Sequence, residues 1–396
     1  MIAIFLAPLY IIFCLYILRW GIRYMGACHH LFQRTWVRVA ICIVYGFIAL
    51  SLLTAFLMPT SGLQRLIKRI STYWLGTVLY ILLTIAIVDV IRMILKKIDF
   101  PGKEVLFSRK GFVVMGTICI LVVAGFSVAG IYGARNIHTT KYEVKVEKKA
   151  GDLQSLRVAL IADLHLGYSI GTWHMEQMVE KVNALEPDII VIAGDIFDNE
   201  YEALDNPDKL IEILSGMKSR YGVYACYGNH DIEEKILAGF TFSGKENKMS
   251  DPRMDEFLEK AGICLLRDEG VLIDDAFYLY GRPDYERPGR GITTRKSPEE
   301  ITADLDKDLP VLVIDHEPRE LQELADAGVD VDLCGHTHDG QMFPGNLTIH
   351  LFWENPCGYL QKGSMHNIVT SGIGVFGPNM RVGTKSEICD VLINFK

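Results

Sequence analysis

The first 110 residues contain only three acidic side chains, against 13 lysines and arginines. Residues 111–396 reverse this balance, because they carry 27 lysines and arginines against 45 aspartates and glutamates, a formal charge of −18. A protein that binds long nucleic acids neutralises phosphates with clustered lysine and arginine. We therefore expect no nucleic-acid partner, whereas a small anionic substrate is compatible with an acidic domain that binds metal ions.

The sequence also lacks a Cys-x-x-Cys pair, an internal repeat and a low-complexity tract. Its nine cysteines are scattered, so they neither predict a zinc ribbon nor identify the compartment. No basic residue precedes the first apolar run, residues 2–18, which argues against a cleaved signal peptide. We expect this segment to remain on the mature protein as part of an anchor.

Long apolar runs are concentrated in the first third of the chain and raise the mean hydropathy to +0.21, which is high for a soluble protein. Each run is about 17–22 residues long, the length that an α-helix needs to cross a bilayer. Tryptophan and tyrosine lie at the ends of the runs, as is typical of membrane interfaces. The sequence predicts an all-α transmembrane region over residues 1–134, with helices at about 2–18, 37–58, 74–94 and 111–132.

The loops between these helices differ in their content of lysine and arginine, which tend to stay on the cytoplasmic side. The loop after the first helix and the loop after the third are the most basic; they contain Arg19, Arg23, Arg34 and Arg38, and Lys96, Lys97, Lys103, Arg109 and Lys110. We therefore expect both termini, and with them the domain that follows the helices, on the extracytoplasmic face. A different number of helices would reverse this orientation.

After the last apolar run the chain changes to a globular pattern. Residues 135–154 are polar and are predicted to form a linker, in which alternating apolar residues suggest one short strand. From 155 to 396, short apolar runs alternate with helical segments, which is typical of an α/β domain, and the later runs favour two sheets over one. Residues 232–252 interrupt the pattern and are interpreted as a mobile segment beside a site or as an ordinary surface insertion.

Polar side chains follow five of these apolar runs, at the point where each predicted strand ends. The segments are Asp163-Leu164-His165, Gly194-Asp195, Gly228-Asn229-His230-Asp231, His316 and Gly335-His336-Thr337-His338. Carboxylates and imidazoles are costly to bury together unless a positive ion gathers them. The pattern therefore predicts a metal centre at one edge of the domain.

Two divalent ions about 3.5–4 Å apart can hold both the attacking and the leaving oxygen of a phosphoryl transfer, provided that one ligand bridges them. Asp195 is the predicted bridge, because the glycine before it lets the backbone approach the ions. Asp163 and His165 are two residues apart, as are His336 and His338, so each pair projects to one side of an extended segment. The mixed nitrogen and oxygen donors favour Mn, Fe or Zn over Mg alone.

His230 is the predicted catalytic acid, because it lies next to a predicted metal ligand and can stabilise the leaving oxygen. Asp198, three residues after Asp195, is the candidate to orient it. The alternatives are a structural histidine and an aspartate that caps a turn. Arg282 and Arg381 are weaker candidates for contact with a phosphate, since guanidinium groups bind phosphate but are also common on protein surfaces.

Taken together, these segments resemble the signature of the calcineurin-like metallophosphoesterases, over about residues 155–396. The resemblance implies a four-layer α/β/β/α sandwich with a dinuclear centre. It implies one ion held by Asp163, His165, Asp195 and His338 and a second held by Asp195, Asn229, His316 and His336. Residues 315–318 and 335–341 resemble the membrane-anchored bacterial branch, although Asp339 stands where many relatives have glycine, and a bacterial cell membrane is therefore expected.

The expected function is a membrane-anchored, metal-dependent phosphodiesterase acting on a small-molecule, lipid or nucleotide-linked phosphoester. Attack on phosphorus by a metal-bridging hydroxide would need no covalent protein intermediate, because bound metal lowers the pKa of water toward neutral. A phosphomonoesterase or protein phosphatase is the alternative enzyme, and a non-catalytic membrane sensor is a third interpretation. No obligate protein partner is evident.

Overall fold

The computed structural model describes residues 2–233, 236–237, 240–241, 249–289 and 291–396. They belong to two compact units. The helical unit consists of residues 1–131 with the short segments 236–242 and 377–380, and the α/β unit consists of the remainder of the chain. Most of the segment 232–252, predicted as a mobile segment or a surface insertion, lies outside the described residues.

The helical unit contains four long apolar helices and one short one. Their bounds are α1 Ile2–Cys28, α2 Thr35–Leu57, α3 Gly62–Leu95, α4 Lys103–Phe107 and α5 Arg109–Arg135. All except α4 are long and apolar enough to cross a membrane, which confirms the prediction of four such helices. Only 11–17% of the residues in their most apolar stretches are buried, as expected if lipid covers the rest.

Helix α3 begins twelve residues before the predicted span at residue 74. The hydroxyl of Ser61 accepts a hydrogen bond from the amide of Gln64 at 3.2 Å and so caps the helix. Arg65, Lys68 and Arg69, which fall between the predicted helices 37–58 and 74–94, therefore lie in the first turns of α3. Hydropathy marks only the stretch that crosses hydrocarbon, whereas a helix continues into the interface where charged side chains are solvated.

The α/β unit is built on two six-stranded sheets, and two further short strands of the chain lie outside them. The strands are β1 Ile137–Val146, β2 Ser155–Ile161, β3 Ile189–Ala193, β4 Val223–Cys226, β5 Ile236–Leu237, β6 Phe240–Thr241, β7 Ile263–Leu265, β8 Glu269–Ile273, β9 Phe277–Gly281, β10 Val311–Ile314, β11 Val331–Cys334, β12 Gly358–Lys362, β13 Met365–Val369 and β14 Ser386–Phe395. The first sheet has the order β1-β14-β2-β3-β4-β7 and the second has the order β12-β13-β11-β10-β9-β8. The two-residue strands β5 and β6 pair with each other within the helical unit.

Helices cover the outer faces of both sheets. They are α6 Thr172–Asn183, α7 Pro207–Leu214, α8 Pro252–Lys260, α9 Pro298–Thr302 and α10 Leu321–Ala327, whereas the short helix α11 Gly345–Thr348 has no buried residue. The facing sides of the sheets share one apolar core, which includes Val158 and Val191 from the first sheet and Leu312 and Leu333 from the second. Because α6–α8 pack on the first sheet and α9–α10 on the second, the four-layer α/β/β/α sandwich is confirmed.

Strand direction determines where the loops meet. Strands β2, β3 and β4 run parallel in the first sheet, and β9, β10 and β11 run parallel in the second. The loops after parallel strands gather at the same edge of a sheet. The first predicted ligand of each segment lies two or three residues after the end of β2, β3, β4, β10 or β11, so the sandwich brings all five segments to one edge.

The segment that we expected to be a linker contributes an edge strand to the first sheet. Strand β1 pairs in parallel with β14, from Ile137 beside Ser386 to Val146 beside Phe395. Val144 is 6% exposed and joins the core between the sheets. The sheet therefore begins at Ile137, well before residue 155. Alternation predicted the strand, but it could not predict a partner about 250 residues away in the chain.

We predict that Val144→Ser destabilises the α/β unit by about 2 kcal/mol, because it removes buried methyl groups and buries a hydroxyl. Lys141→Ser on the exposed side of the same strand is the matched control and should cost under about 0.5 kcal/mol. Thermal unfolding of the full-length protein in detergent measures both. Equal effects of the two substitutions would mean that residues 137–146 behave as a linker.

Candidate metal centre

One group of side chains joins the loop after β2 to the loop after β11. We call Asp163, His165 and His338 the first cluster. The Nε2 atoms of His165 and His338 are 3.0 Å apart, and Nε2 of His338 lies 3.8 Å from a carboxylate oxygen of Asp163. All three side chains are buried, and one potential ligand atom from each lies within 4.8 Å of the others. These residues can hold one ion.

The second cluster consists of Asn229, His316 and His336, from the loops after β4, β10 and β11. The amide oxygen of Asn229 lies 3.0 Å from Nε2 of His316 and 2.9 Å from Nδ1 of His336. These two ring nitrogens are 3.1 Å apart. A neutral oxygen and two imidazole nitrogens that converge on one point form a donor set suited to a first-row divalent metal.

Asp195 lies between the two clusters. Its Oδ2 is 3.7 Å from Nε2 of His165 and 3.2 Å from Nε2 of His316. Its Oδ1 accepts a hydrogen bond from the backbone amide of His230 at 2.7 Å. The backbone amide of His230 therefore holds Oδ1 in place, and Oδ2 faces both the first and the second cluster.

The backbone of the site is strained at several of these positions. Left-handed φ angles occur at Asp163 (54°), His165 (45°), Asp195 (49°), His336 (73°) and His338 (51°). A non-glycine residue in this region costs about 1–3 kcal/mol and persists where surrounding contacts determine its conformation. Gly194 also has a positive φ, and a Cβ there would lie 2.5 Å from Nδ1 of His316. This glycine is therefore required by the close approach of the two loops.

The protonation states of the imidazoles support a metal-binding role. Burial lowers the pKa of His165 to about 3 and lowers the pKa of His336 and His338 well below the usual range, so these rings are neutral and offer lone pairs. Burial also opposes a charge on His316, but the surrounding carboxylates, Asp195 foremost, together raise the pKa of His316. The site thus attracts positive charge, and its oxygen and nitrogen donors fit divalent cations.

Two further contacts act on the ligand histidines. Nδ1 of His316 lies 2.9 Å from the carbonyl oxygen of Ala193 and donates to it, so Nε2 faces the site and would bind a metal ion after losing its proton. Nη2 of Arg381 lies 3.1 Å from Nδ1 of His338. That nitrogen has only two hydrogens, and the carbonyls of Ser371 and Gly374 are nearer, at 2.6 and 2.8 Å. Nη2 therefore bonds mainly to these two carbonyls, which belong to the loop that follows β13.

Asn199, which the sequence reasoning missed, is the hydrogen-bond partner of the candidate acid His230. The amide nitrogen of Asn199 donates to the carbonyl of Ile232 at 2.9 Å, so its Oδ1 faces His230 and accepts a short hydrogen bond from Nδ1. This contact leaves Nε2 of His230 available to a substrate. Burial lowers the pKa of His230 to about 4.

Asp198, the candidate to orient His230, lies beside the rings of both His165 and His230, with one potential ligand atom of each residue within 4.8 Å of the others, and its orienting role stays a prediction. Its carboxylate lies 3.8 Å from Nδ1 of His165, with 26% of the side chain exposed, while the hydrogen bond of the His230 ring goes to Asn199. The interval of three residues after Asp195 drew attention to the carboxylate. In the sequence, the position of Asn199 directly after Asp198 was the available signal.

Asp231, the last residue of the segment 228–231, has a structural role. Its Oδ1 accepts from the amide of Phe197 and its Oδ2 accepts from the amide of Gly228, at 2.8 and 2.7 Å. The side chain is completely buried. It therefore ties the loop after β3 to the loop after β4, and so sets the distance between Asp195 and Asn229.

Arg282 and Arg381, considered as phosphate contacts, are buried beneath the site instead. Arg282 is fully buried and pairs with the carboxylates of Asp315 and Glu320, both at 2.7 Å. Arg381 is 1% exposed, and its guanidinium donates to backbone carbonyls of the loops that carry the site. Both side chains support loops, and neither offers a free guanidinium to a phosphate.

A four-layer sandwich whose strand-end loops gather carboxylates, imidazoles and an amide at one edge has the architecture of a metallophosphoesterase. Residues 156–340 match the family model described as calcineurin-like phosphoesterase. The chain belongs to this family. It is an integral membrane protein, since four apolar helices precede the domain and similar proteins include transmembrane ones.

Three relatives illustrate the similarity. A transmembrane protein with a metallophosphoesterase domain from Danio rerio is 31% identical over 70% of this chain and 62% of its own length. A metallophosphoesterase of Campylobacter jejuni is 30% identical over 68% of this chain and 67% of its own length. A UDP-2,3-diacylglucosamine pyrophosphatase of Chlamydia trachomatis is 25% identical over 52% of this chain and 70% of its own length. The chain thus spans less than two thirds of the length of the Danio relative.

We predict that Asp195→Asn lowers the metal content of the purified full-length protein from about two ions per chain to about one or fewer, because it removes the charge shared by both clusters. Elemental analysis after metal loading measures this change. Asp208→Asn, at an exposed position on α7, is the matched control. An unchanged metal content in Asp195→Asn would contradict a bridging position.

We also predict that Asn199→Ala lowers turnover of an aryl phosphoester about 10–100-fold while the metal content is retained, because the ring of His230 loses its orienting acceptor. Asn199→Asp keeps an acceptor and should restore much of the rate. Asp198→Asn serves as the comparison, and a larger loss in that variant than in Asn199→Ala would return the orienting role to Asp198.

Proposed function

We propose that this protein is a membrane-anchored phosphodiesterase that uses two divalent metal ions. The observation that carries the proposal is the position of the Asp195 carboxylate, with one oxygen facing both clusters. Such a bridging ligand is what a two-metal hydrolytic site requires. The first cluster would hold one ion and the second cluster the other, and the mixed donor set favours manganese, iron or zinc.

The two ions, when bound, would supply an activated water and neutralise charge on the phosphoryl group. The residues of the chain then have separate tasks. Both clusters hold ligand atoms in place, and the backbone amide of His230 keeps Asp195 oriented. In the net reaction a bond forms between a water oxygen and phosphorus, one ester bond from phosphorus breaks, and the leaving oxygen gains a proton.

His230 is the proposed partner of the leaving oxygen. With Nδ1 donating to Asn199, the free Nε2 can donate only from the doubly protonated ring. Burial keeps the ring neutral in the absence of an anion, since its pKa is lowered to about 4. A bound phosphoester would favour the protonated form, because a nearby negative charge raises the pKa of an imidazole.

The membrane anchor and one relative support a lipid or nucleotide-linked substrate. The Chlamydia relative is named as a pyrophosphatase of a nucleotide-linked diacyl sugar. That molecule contains both phosphorus and a lipid part. The domain is extracytoplasmic in our proposal, because the predicted loops after the first and third helices are the most basic. The membrane is that of a bacterial cell in our proposal, because residues 315–318 and 335–341 resemble the membrane-anchored bacterial branch of the family.

The test compares bis-(p-nitrophenyl) phosphate with p-nitrophenyl phosphate, using detergent-purified protein that has been chelated and then supplied separately with Mn, Zn, Fe or Mg. We predict metal-dependent hydrolysis of the diester with a kcat/KM at least about tenfold above that of the monoester, and loss of the activity in Asp195→Asn. Faster hydrolysis of the monoester would favour a phosphomonoesterase. Absence of turnover with every metal would contradict an enzymatic function.

A further inference from the structure

Three large apolar side chains project from the α/β unit just after the last ligand segment. Leu347 is 62% exposed, Leu351 is 80% exposed and Phe352 is 78% exposed. We call these three residues the apolar ridge. The nine residues 345–353 contain no Asp, Glu, Lys or Arg. Contiguous apolar exposure of this kind on a folded domain marks an interaction surface.

The backbone presents these side chains outward. Helix α11 is followed directly by a 3-10 turn over Ile349–Leu351, and Leu347 and Leu351 are four residues apart and so share one side of the helical turns. The amide of Leu347 donates to the carbonyl of Pro344 at 3.0 Å, and the amide of Phe352 donates to the carbonyl of Ile349 at 3.0 Å. The ridge is therefore an ordered feature of the domain.

The ridge is continuous with the candidate metal centre. The ring of Trp353, next to Phe352, lies edge-on to the His336 ring with centroids 5.1 Å apart. A groove of about 400 Å³ adjoins the ridge, and its lining includes Phe352, Trp353, Tyr285 and Arg319 together with Glu320, Glu323 and Glu354. The guanidinium of Arg319 lies 4.9 Å from the centre of the Trp353 ring, with its side chain 39% exposed. Because Arg319 also pairs with Glu317 at 2.5 Å, it is the apolar surface and the metal ligands that adjoin one another.

We propose that the apolar ridge rests in the bilayer interface and holds the hydrocarbon part of a lipid phosphoester whose phosphorus lies at the metal centre. The occupant is lipid because four spanning helices keep this domain beside a bilayer, and because uncharged segments rich in Leu, Phe and Trp partition into the interface. The substrate part of this inference rests on the proposed phosphodiesterase function, whereas the membrane contact does not.

One experiment measures the membrane contact without any enzymatic activity. Leu351→Trp adds a fluorophore to the ridge, and Leu272→Trp adds one at a 42% exposed position on the edge strand β8. Each full-length variant is reconstituted in phosphatidylcholine vesicles with and without brominated acyl chains, and its signal is compared with that of the parent protein. We expect strong quenching of the added signal at 351 and little at 272. Equal quenching at the two positions would overturn the membrane contact.

A second experiment tests the substrate. Methyl p-nitrophenyl phosphate and hexadecyl p-nitrophenyl phosphate share the scissile bond and the leaving group and differ only in the hydrocarbon chain. We expect the unmodified protein to prefer the hexadecyl ester in kcat/KM. We expect Leu347→Ser with Leu351→Ser to reduce that preference about tenfold, because less apolar surface covers the chain. Leu272→Ser, the matched control, should keep the preference of the unmodified protein.

The outcomes separate the two proposals. An unchanged preference in the ridge variant, despite quenching at 351, would overturn the ridge as a lipid-holding surface. Quenching at 351 with no hydrolysis of either ester would support the membrane contact and contradict the proposed function. A dimer of the purified protein that dissociates in the Leu347→Ser, Leu351→Ser variant would show that a second copy covers the ridge, and would overturn the lipid assignment.

Discussion

The candidate site depends on one buried carboxylate, that of Asp195, whose charge must be balanced inside the protein. Its oxygens face the amide of His230 and the imidazoles of His165 and His316. Burying a charge is costly unless partners surround it. The loops that approach Asp195 are therefore held together by electrostatics as well as by packing, and the sandwich meets this requirement by ending five parallel strands at one edge.

The polar groups around the ligands explain how so many donors keep one geometry. Asp231 ties two ligand-bearing loops together, Asn199 fixes the ring of His230, and Arg381 bonds to backbone carbonyls below His338. Each of these side chains reaches from one loop to another. Partners of this kind orient ligands and select tautomers. They also account for the persistence of left-handed backbone conformations, which a lone loop would relax.

Attachment to a membrane raises an electrostatic difficulty for this domain. Residues 111–396 carry a formal charge of −18, and anionic lipid surfaces repel negative charge. Bound metal ions reverse the field locally, and an apolar contact does not depend on charge. The ridge beside the metal centre would therefore allow a close approach to lipid that the average surface of the domain opposes. The four apolar helices supply the tether, and the loops supply the chemistry.

Some properties of this protein follow from the sequence alone, because they depend on local patterns. Apolar length determined the four helices, and alternating strand and helix signals determined an α/β domain with two sheets. The seven proposed ligands, from Asp163 to His338, could be found because each follows an apolar run and carries a metal-binding atom.

Only the tertiary structure decided which groups meet. The pairing of β1 with β14 joins segments about 250 residues apart, and Asn199 meets His230 through a contact between two loops. Arg282 and Arg381 resemble surface residues in the sequence but are buried against carboxylates and carbonyls. Hydropathy and spacing describe a residue and its neighbours in the chain, whereas these contacts arise from burial and hydrogen bonding between distant segments.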